Sequence, residues 1–541
     1  MAGPHLVWST RTDPADRDTL VPPCQARKAP AVVLRFILKR LGSSFLVLFG
    51  ASVLLFVLVI NSGDPLADLR EVQTNNRDQL IAARTANMGL DQPWFVRYFD
   101  WLRGVGGCFV GQCDLGTNRT GQQVVDLLAL AANSTLRLVV LATVLAIVIG
   151  VAIGILTAIR QYSGLDYAVT FMTFLFFSLP VFWAAVLLKE YMAIGFNDWI
   201  VSPHFSWVAI AITAIIVGVI LQAMLAGSLK RRLITFAVAA AFVAIVMVVF
   251  DAMGFARQPR MGPLVILLVG LATAVGATTL VAGLKNRKVL IASAVTAVIG
   301  FISYYVFFSV LGDPNWLVVI GLLLLAVAIA VLVGRLLGGY SKGSASVASV
   351  IVALVMSGLT AADHVFMNWP GYLRMQPRPI GTIGSETPNF NGTFWMDFID
   401  KGTQLLLPTL LLTLISVATY SRYTRSSMLE VSRQDYIRTA RAKGLGERQV
   451  ILKHAFRNSL IPITTIMAFD FAGLIGGAVI TERVFGWKGM GELFATGLNQ
   501  VDPAPVMAFF LITGTAAVLM NLLADILYAV LDPRILSLIH I

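Results

Sequence analysis

Residues 138–159 read Leu-Val-Val-Leu-Ala-Thr-Val-Leu-Ala-Ile-Val-Ile-Gly-Val-Ala-Ile-Gly-Ile-Leu-Thr-Ala-Ile, a run with no charge in it. A helix needs about 20 apolar residues to cross the hydrocarbon core of a bilayer, and a helix apolar on every face belongs in lipid or in a buried bundle. The same reading repeats outward along the chain. Residues 41–61, 167–188, 205–229, 261–284 and 289–312 are equally free of charge, as are 316–334, 343–362, 402–421 and 503–524. The segment 233–250 is a little short, and 459–481 is interrupted only by Asp470. Twelve spans follow, in a chain that is 57% hydrophobic and 13% charged, about half the charge of a soluble domain. The fold class is an all-α polytopic membrane protein.

The remaining charge sorts by side. Forty-one Lys and Arg stand against 29 Asp and Glu, a net +12. In a soluble protein that excess would point to nucleic acid. Here, with the N-terminus inside and twelve crossings, 26 basic residues fall on the cytoplasmic side and 15 outside. That is the positive-inside bias, and it puts both termini in the cytoplasm. The basic segment before the first span has no small-residue cleavage site, so the span reads as a retained anchor. Cys24 falls in the tail, while Cys108 and Cys113 share an outside loop. There they either close a small disulfide or stay as two thiols.

Two outside connections are long. In 62–137, the run Trp94-Phe-Val-Arg-Tyr-Phe-Asp-Trp-Leu102 after Pro93 has helical apolar spacing. It predicts a short amphipathic helix on the outer surface. Residues 363–401, rich in Pro, Gly, Asn and Thr, read as an irregular loop. The large cytoplasmic excursion is 422–460. Ser432-Arg-Gln-Asp435 looks like a capping-box start, with a helix over 436–443, a turn at Gly444-Leu-Gly446, and a second helix over 447–457 that stops before Pro462. Lys230-Arg231-Arg232 and residues 285–288 read as tight basic loops.

The run Arg422-Tyr-Thr-Arg-Ser-Ser-Met-Leu-Glu-Val-Ser-Arg-Gln-Asp-Tyr-Ile-Arg-Thr-Ala-Arg-Ala-Lys-Gly444-Leu resembles the signature loop of ABC importer permeases, and more narrowly the dipeptide/oligopeptide/nickel family. Arg438-Thr439-Ala440 and Gly444 stand at its "EAA…G" positions, with Arg438 replacing Glu. Arg35-Phe-Ile-Leu-Lys-Arg-Leu41 with Gly63-Asp64-Pro65 resembles the first-span signature of the B-type subunit, and Met88–Leu102 with Asp114-Leu-Gly-Thr117 resembles the segment after it. Ile475–Glu482 through Phe485-Gly-Trp-Lys-Gly-Met-Gly491 is similar to the family's fifth span and turn, and Tyr528-Ala-Val-Leu-Asp532-Pro533-Arg534 to its ending.

The resemblance covers 35–195 and 400–535, which supply a six-helix permease core. It implies a layout of a cytoplasmic tail (1–34), core spans one to three (35–195), an inserted membrane bundle (196–400), core spans four to six (401–535) with a coupling loop at 422–460, and a cytoplasmic C-terminus (536–541). The insertion adds six helices, an even number, which preserves the side of the coupling loop.

The resemblance implies that Tyr436, Arg438, Thr439, Ala440, Arg441, Lys443 and Gly444 dock on a cytoplasmic ATPase. Partners would be a second homologous permease, two ATPases and an extracytoplasmic binding protein that lands on 62–137 and delivers peptide; that loop could equally serve as a lid. ATP and Mg would sit on partner subunits. No phosphate-cradling Gly-x4-Gly-Lys-Ser/Thr loop occurs, since Gly338-Gly-Tyr-Ser-Lys-Gly343 has the composition but not the spacing. No metal-ligand cluster occurs, and the five His are scattered. The chain is therefore expected to bind no cofactor and to catalyse nothing itself.

Pro180, Gly473, Gly476 and Gly477 are expected points of bending or close helix approach along the path, with Glu482 a gate candidate. Asp470 lies mid-span, either facing the pore or making an interhelical hydrogen bond. Asp525 reads as structural, and Lys189-Glu190 as an interface anchor. Nickel or another small solute is the alternative cargo. An ion-driven secondary transporter would need midplane charges, and a membrane enzyme a polar catalytic cluster; neither pattern is present.

Overall fold

The computed structural model describes residues 29–71, 75–224 and 228–531. Residues 1–28 of the expected tail with Cys24, the motif Asp532-Pro533-Arg534 and the segment 536–541 lie outside the described residues. The described chain is helical; its only β pairing is an isolated bridge between Thr117 and Gln123.

Helix α1 (Ala29–Ile60) leads into the short helices α2 (Ala67–Glu71), α3 (Arg77–Met88) and α4 (Trp94–Gly107), and then the long α5 (Val124–Ile159). Helices α6 (Gly164–Ser178), α7 (Val181–Leu187) and α8 (Gly195–Val201) follow, with π-helical Leu188–Ile194 between the last two. Next come α9 (Trp207–Met224), α10 (Leu229–Ala252), α11 (Gly262–Val281), α12 (Arg287–Val306), α13 (Trp316–Leu337) and α14 (Lys342–Met375). The remaining helices are α15 (Phe394–Ser432), α16 (Asp435–Ala442), α17 (Glu447–Gln449), α18 (Phe456–Gly477), α19 (Val479–Phe485), α20 (Met490–Asn499) and α21 (Pro503–Leu531).

Among the described residues, nine helices are long and apolar enough to cross a bilayer. Two further expected spans are bent. Gly164–Ser178 and Val181–Val201 meet at 105°, because Pro180 fixes its φ at −59° and has no N–H to continue the ladder. The span expected over 167–188, with Pro180 as its bending point, is thus a broken pair. Val450–Leu460 and Pro462–Gly476 meet at 48°. The helix expected to stop before Pro462 instead runs through it with a bend. The one span left, fourth in chain order, is the shorter apolar helix Trp207–Ala223.

Other boundaries also shift. Lys230-Arg231-Arg232 lies in the first turn of α10 rather than in a loop. Helix α14 continues to Met375 and α15 starts at Phe394, so the irregular connection expected over 363–401 shrinks to 376–393. Asp363 and His364, just past the expected span end, are buried.

Two packing regions position everything else. Helices α11–α14 share a core of small and branched residues, including Ala274, Ala292, Ala297, Ala345, Ala348 and Met356. Gly270 and Gly300 leave the room that Met356 occupies. Helices α5 and α15 lie against each other at backbone distance. A Cβ at Gly150 would strike Tyr420, and one at Gly154 would strike Thr424. Gly150-x3-Gly154 is the small-residue spacing that allows such an approach; the same run was read only for its hydrophobicity, so this joint was missed.

Candidate translocation and coupling site

The coupling segment begins where α15 ends. Ser432 is not the cap of the next helix, as the capping-box reading expected. Its Oγ donates back to the Met428 carbonyl at 2.6 Å, and the extended residue before α16 is Gln434, with no side-chain cap. Helix α16 is amphipathic. Ile437 and Ala440 are buried, Ile437 fully, against Met428, Val450 and Ala455. Tyr436, Arg438, Thr439, Arg441 and Lys443 point away from that cluster and are exposed, Arg438 by 74%. Gly444 closes the helix at φ +74°, a left-handed position that suits glycine.

Arg438 lies 3.5 Å from Asp435. Arg441 makes a fork onto Glu447, 3.1 and 2.6 Å, which holds the Glu447 carboxyl below its ordinary range and raises the Arg441 guanidinium. Glu447 was missed; an acid six residues after a helix Arg, across a Gly-Leu-Gly turn, was the signal available. Below this loop, Ser427 Oγ donates to the Ser459 carbonyl at 3.1 Å and ties α15 to the bent α18.

Asp470 in α18 accepts from Ser416 Oγ at 2.9 Å and Tyr420 Oη at 2.7 Å, both on α15. Of the two readings, the interhelical hydrogen bond is the one formed. Tyr420 is fully buried beside Gly150, so one tyrosine joins α5, α15 and α18. Among the described residues a Cβ at Gly473 or Gly476 would meet nothing within 4 Å, so no close helix approach is made there within this chain. Gly477 is the last residue of α18, and the chain turns at Ala478 into α19.

Glu482 does not face open space. It is completely buried and accepts from Thr135 Oγ1 at 2.6 Å and from the Glu492 amide at 3.1 Å, at the start of α20. Thr135 in turn accepts from the Met490 amide at 2.8 Å. A carboxylate is favoured at such a helix start; burial pushes its pKa up, and Thr135 and the amides pull it back. Gly489 and Gly491 leave the space the carboxylate fills. Thr135 was missed, with nothing in its sequence setting to mark it. The break at Pro180 sends α7 against α19, where Ala185 and Ala193 pack with Phe485. Lys189, read as an interface anchor, reaches the Val484 carbonyl at 3.4 Å. Asp525 pairs with Arg40 at 2.9 Å.

The segment between α1 and α5 is folded onto the spans rather than lying free. Tyr98 of α4 is buried against Phe56 and Met507 and bonds Ser52 Oγ at 2.8 Å. Cys108 and Cys113 are joined in a disulfide. Asp502, at the corner into α21, accepts from the Arg119 amide at 2.7 Å. Burial raises its carboxyl and also lowers the guanidinium of nearby Arg97. Asp68 takes Arg84 and Arg119, and both hold its pKa down. A cavity of about 280 Å³ opens beside these groups, lined by Phe56, Arg97, Trp101, Asp114 and Asp502. The coupling residues thus come together at one end, while Asp470, Glu482 and Pro180 occupy separate joints.

The model of the binding-protein-dependent transport system inner membrane component matches residues 350–537, and that of the N-terminal part of such membrane components matches 33–129, together over half of the chain. The chain belongs to that family. This permease is 40% identical over 181 residues to the oligopeptide transport system permease protein OppB of Mycobacterium tuberculosis, covering 34% of this chain and 54% of that one. It is 43% identical over 157 residues to the oligopeptide permease AppB of Bacillus subtilis, 29% and 48% of the two chains. It is 44% identical over 139 residues to the dipeptide permease DppB of Escherichia coli strain K12, 26% and 41%. The matches span about half the length of these curated relatives. A multi-pass inner-membrane component of that family is what fold and family together establish.

Proposed function

We propose that the chain is one transmembrane subunit of an ATP-driven importer and lines the path for di- or oligopeptides. The observation that carries this is α16, which buries Ile437 and Ala440 under the elbow of α15 and α18 and leaves Tyr436, Arg438 and Lys443 exposed. A two-residue anchor with a free basic face is a lever, and its motion would be passed to α15 and α18 as a rigid-body shift. Arg441 would act chiefly by fixing the turn through Glu447.

In this reading two cytoplasmic ATPases, holding ATP and Mg, push α16 of this chain and of a second homologous permease. A binding protein on the opposite side releases peptide to the segment expected over 62–137, the last part of which belongs to α5 from Val124 on. The chain itself supplies the path and no chemistry, and both termini face the cytoplasm. The named peptide permeases among its relatives support the cargo.

The test is reconstitution with the co-purified ATPase pair in proteoliposomes. Peptide uptake should require ATP and the binding protein, and Arg438→Glu with Lys443→Glu should abolish uptake while the protein still inserts. Peptide movement by this chain alone, with no ATPase present, would overturn the proposal.

A further inference from the structure

A second basic site lies just ahead of α16. Arg422 and Arg425 of α15, Arg433 just after it and Phe174 of α6 line a cavity of about 660 Å³ that opens next to Gln434. Each arginine is set differently. Arg425 pairs with the buried Asp166 at 2.9 Å, and Asp166 is itself held by the Tyr162 amide at 3.0 Å. Arg422 lies 4.5 Å from the ring centre of Phe177 and 5.8 Å from that of Phe174. Arg433 is the exposed C-cap residue of α15. The Nε atoms of Arg422 and Arg425 are buried with no partner among the described residues. Glu430 is the one acid on the wall.

Three guanidiniums against Glu430 and the engaged Asp166 leave the cavity positive. Its rim is greasy: Tyr167, Phe171, Phe174 and Phe177 expose a continuous aromatic face on α6. A ligand that satisfies both parts carries a compact anion and hydrocarbon. Basic pockets between transmembrane helices on the cytoplasmic side suit phospholipid headgroups, and Arg forks match phosphate geometry.

We infer that this cavity seats the phosphate of an anionic phospholipid, with its acyl chains along the aromatic face of α6, so that a lipid braces the root of the coupling helix. The inference rests on the importer reading only for the side of the membrane. Its test needs neither peptide nor ATP, so its failure leaves that reading standing.

The test is native mass spectrometry of the solubilised permease, with whatever partners it retains, titrated with phosphatidylglycerol and with phosphatidylcholine. Phosphatidylglycerol should be retained preferentially, and Arg422→Gln with Arg433→Gln should weaken retention by about tenfold. The paired Lys variants, which keep the charge and guard against misfolding, should keep most of it. Arg335→Gln with Lys342→Gln, basic residues elsewhere, should change nothing. Equal retention of both lipids, or retention indifferent to the Gln pair, overturns the inference. Displacement of bound lipid by millimolar inorganic phosphate would assign the site to a free anion, and displacement by a tripeptide would assign it to the cargo carboxylate; either overturns it too.

Discussion

Two regions of this membrane protein are held together by different means. Helices α5, α15, α18 and α19 meet at joints made of backbone contact and buried polar groups: Gly150 and Gly154 under Tyr420 and Thr424, Asp470 on Ser416 and Tyr420, Glu482 on Thr135. Helices α11–α14 meet mostly through Ala, Val and Met. Their carboxylate Asp363 sits at one end, where it takes Tyr304 Oη at 2.8 Å and the amides of Met261 and Gly262. In hydrocarbon, apolar burial gives no driving force between helices, so geometry is fixed by close approach and hydrogen bonds. The second region has such joints too, Thr278 with Ser293 at 3.0 Å and Gly334 against the Ser346 backbone, but no carboxylate in mid-span, so the first region is the more tightly specified and the second can repack with less loss.

The largest effect tests where the second region ends. Sequence places the insertion at 196–400, and a deletion of 198–398 should then leave a working core. The contacts argue otherwise. Asn197 holds residue 380 from both sides, its Nδ2 donating to the Ile380 carbonyl at 2.8 Å and its Oδ1 accepting the Ile380 amide at 3.0 Å. Ile380 packs with Leu407, Leu411 and Phe485, and the Gly384 amide donates to the Phe485 carbonyl at 3.0 Å. Residues 376–393 thus cover α15 and α19. The deletion should abolish the monodisperse peak in size-exclusion chromatography; a normal peak would show that these contacts are dispensable.

Next comes a single joint in the first region. Glu482→Ala leaves Thr135 and the first amides of α20 unpaired in a buried site, a cost of about 1–3 kcal/mol. A lower unfolding midpoint in detergent should report it, with Glu482→Gln costing less because one oxygen can still accept. The matching change in the second region, Ala292→Ser, should cost less than either, since the new hydroxyl can donate to its own helix as Ser293 does to the Val289 carbonyl. Equal losses at the two sites would erase the contrast between the regions.

The number and kind of helices were legible because hydrocarbon forbids charge over a length the chain must declare. The joints were legible only in part. Asp470 was readable as a cost needing a partner, yet its partners Ser416 and Tyr420 are ordinary residues of another span. Glu482 announced itself as an acid but not as the buried support of α20. The break at Pro180 was visible; its 105° was not, because a missing N–H permits a bend and neighbouring helices set its size. Asp363 and His364 read as part of an outside loop by polarity alone, whereas Tyr304 and the stacked ring of Trp395 draw them into the bundle.

A smaller effect separates stability from function at the lever. Arg441 and Glu447 are both about half exposed, so their pair is worth about 0.2–1 kcal/mol. Because Arg441 holds the folded Glu447 carboxyl below its ordinary value, that contribution is present above the unfolded carboxylate range, near pH 4. It fades as pH falls through the lower folded value. Arg441→Ala should remove this acid-side loss and barely move the midpoint at neutral pH. A large drop at pH 7 would mean that the pair anchors more than its own turn.

The smallest effect is expected at the outer edge of the second region. Helices α9 and α10 pair with each other, Gly218 lying against Phe236, and the two ends of this hairpin already touch: the Phe205 amide donates to Asp251 Oδ1 at 3.1 Å, and His204 Nδ1 lies 2.8 Å from the other oxygen. Excising 207–250 therefore joins neighbours, removes two helices, and leaves every later segment on its own side of the membrane. The Arg257 Nε donation to the Ile200 carbonyl and that of Trp369 Nε1 to the Ala256 carbonyl both lie outside the cut. The shortened chain should insert, keep its unfolding midpoint to within a few degrees, an effect of about 1 kcal/mol or less in a chain this long, and retain peptide uptake when reconstituted with its ATPases. Loss of uptake with a normal midpoint would give the hairpin a role that its packing does not reveal, and would move it from the tolerant region into the specified one.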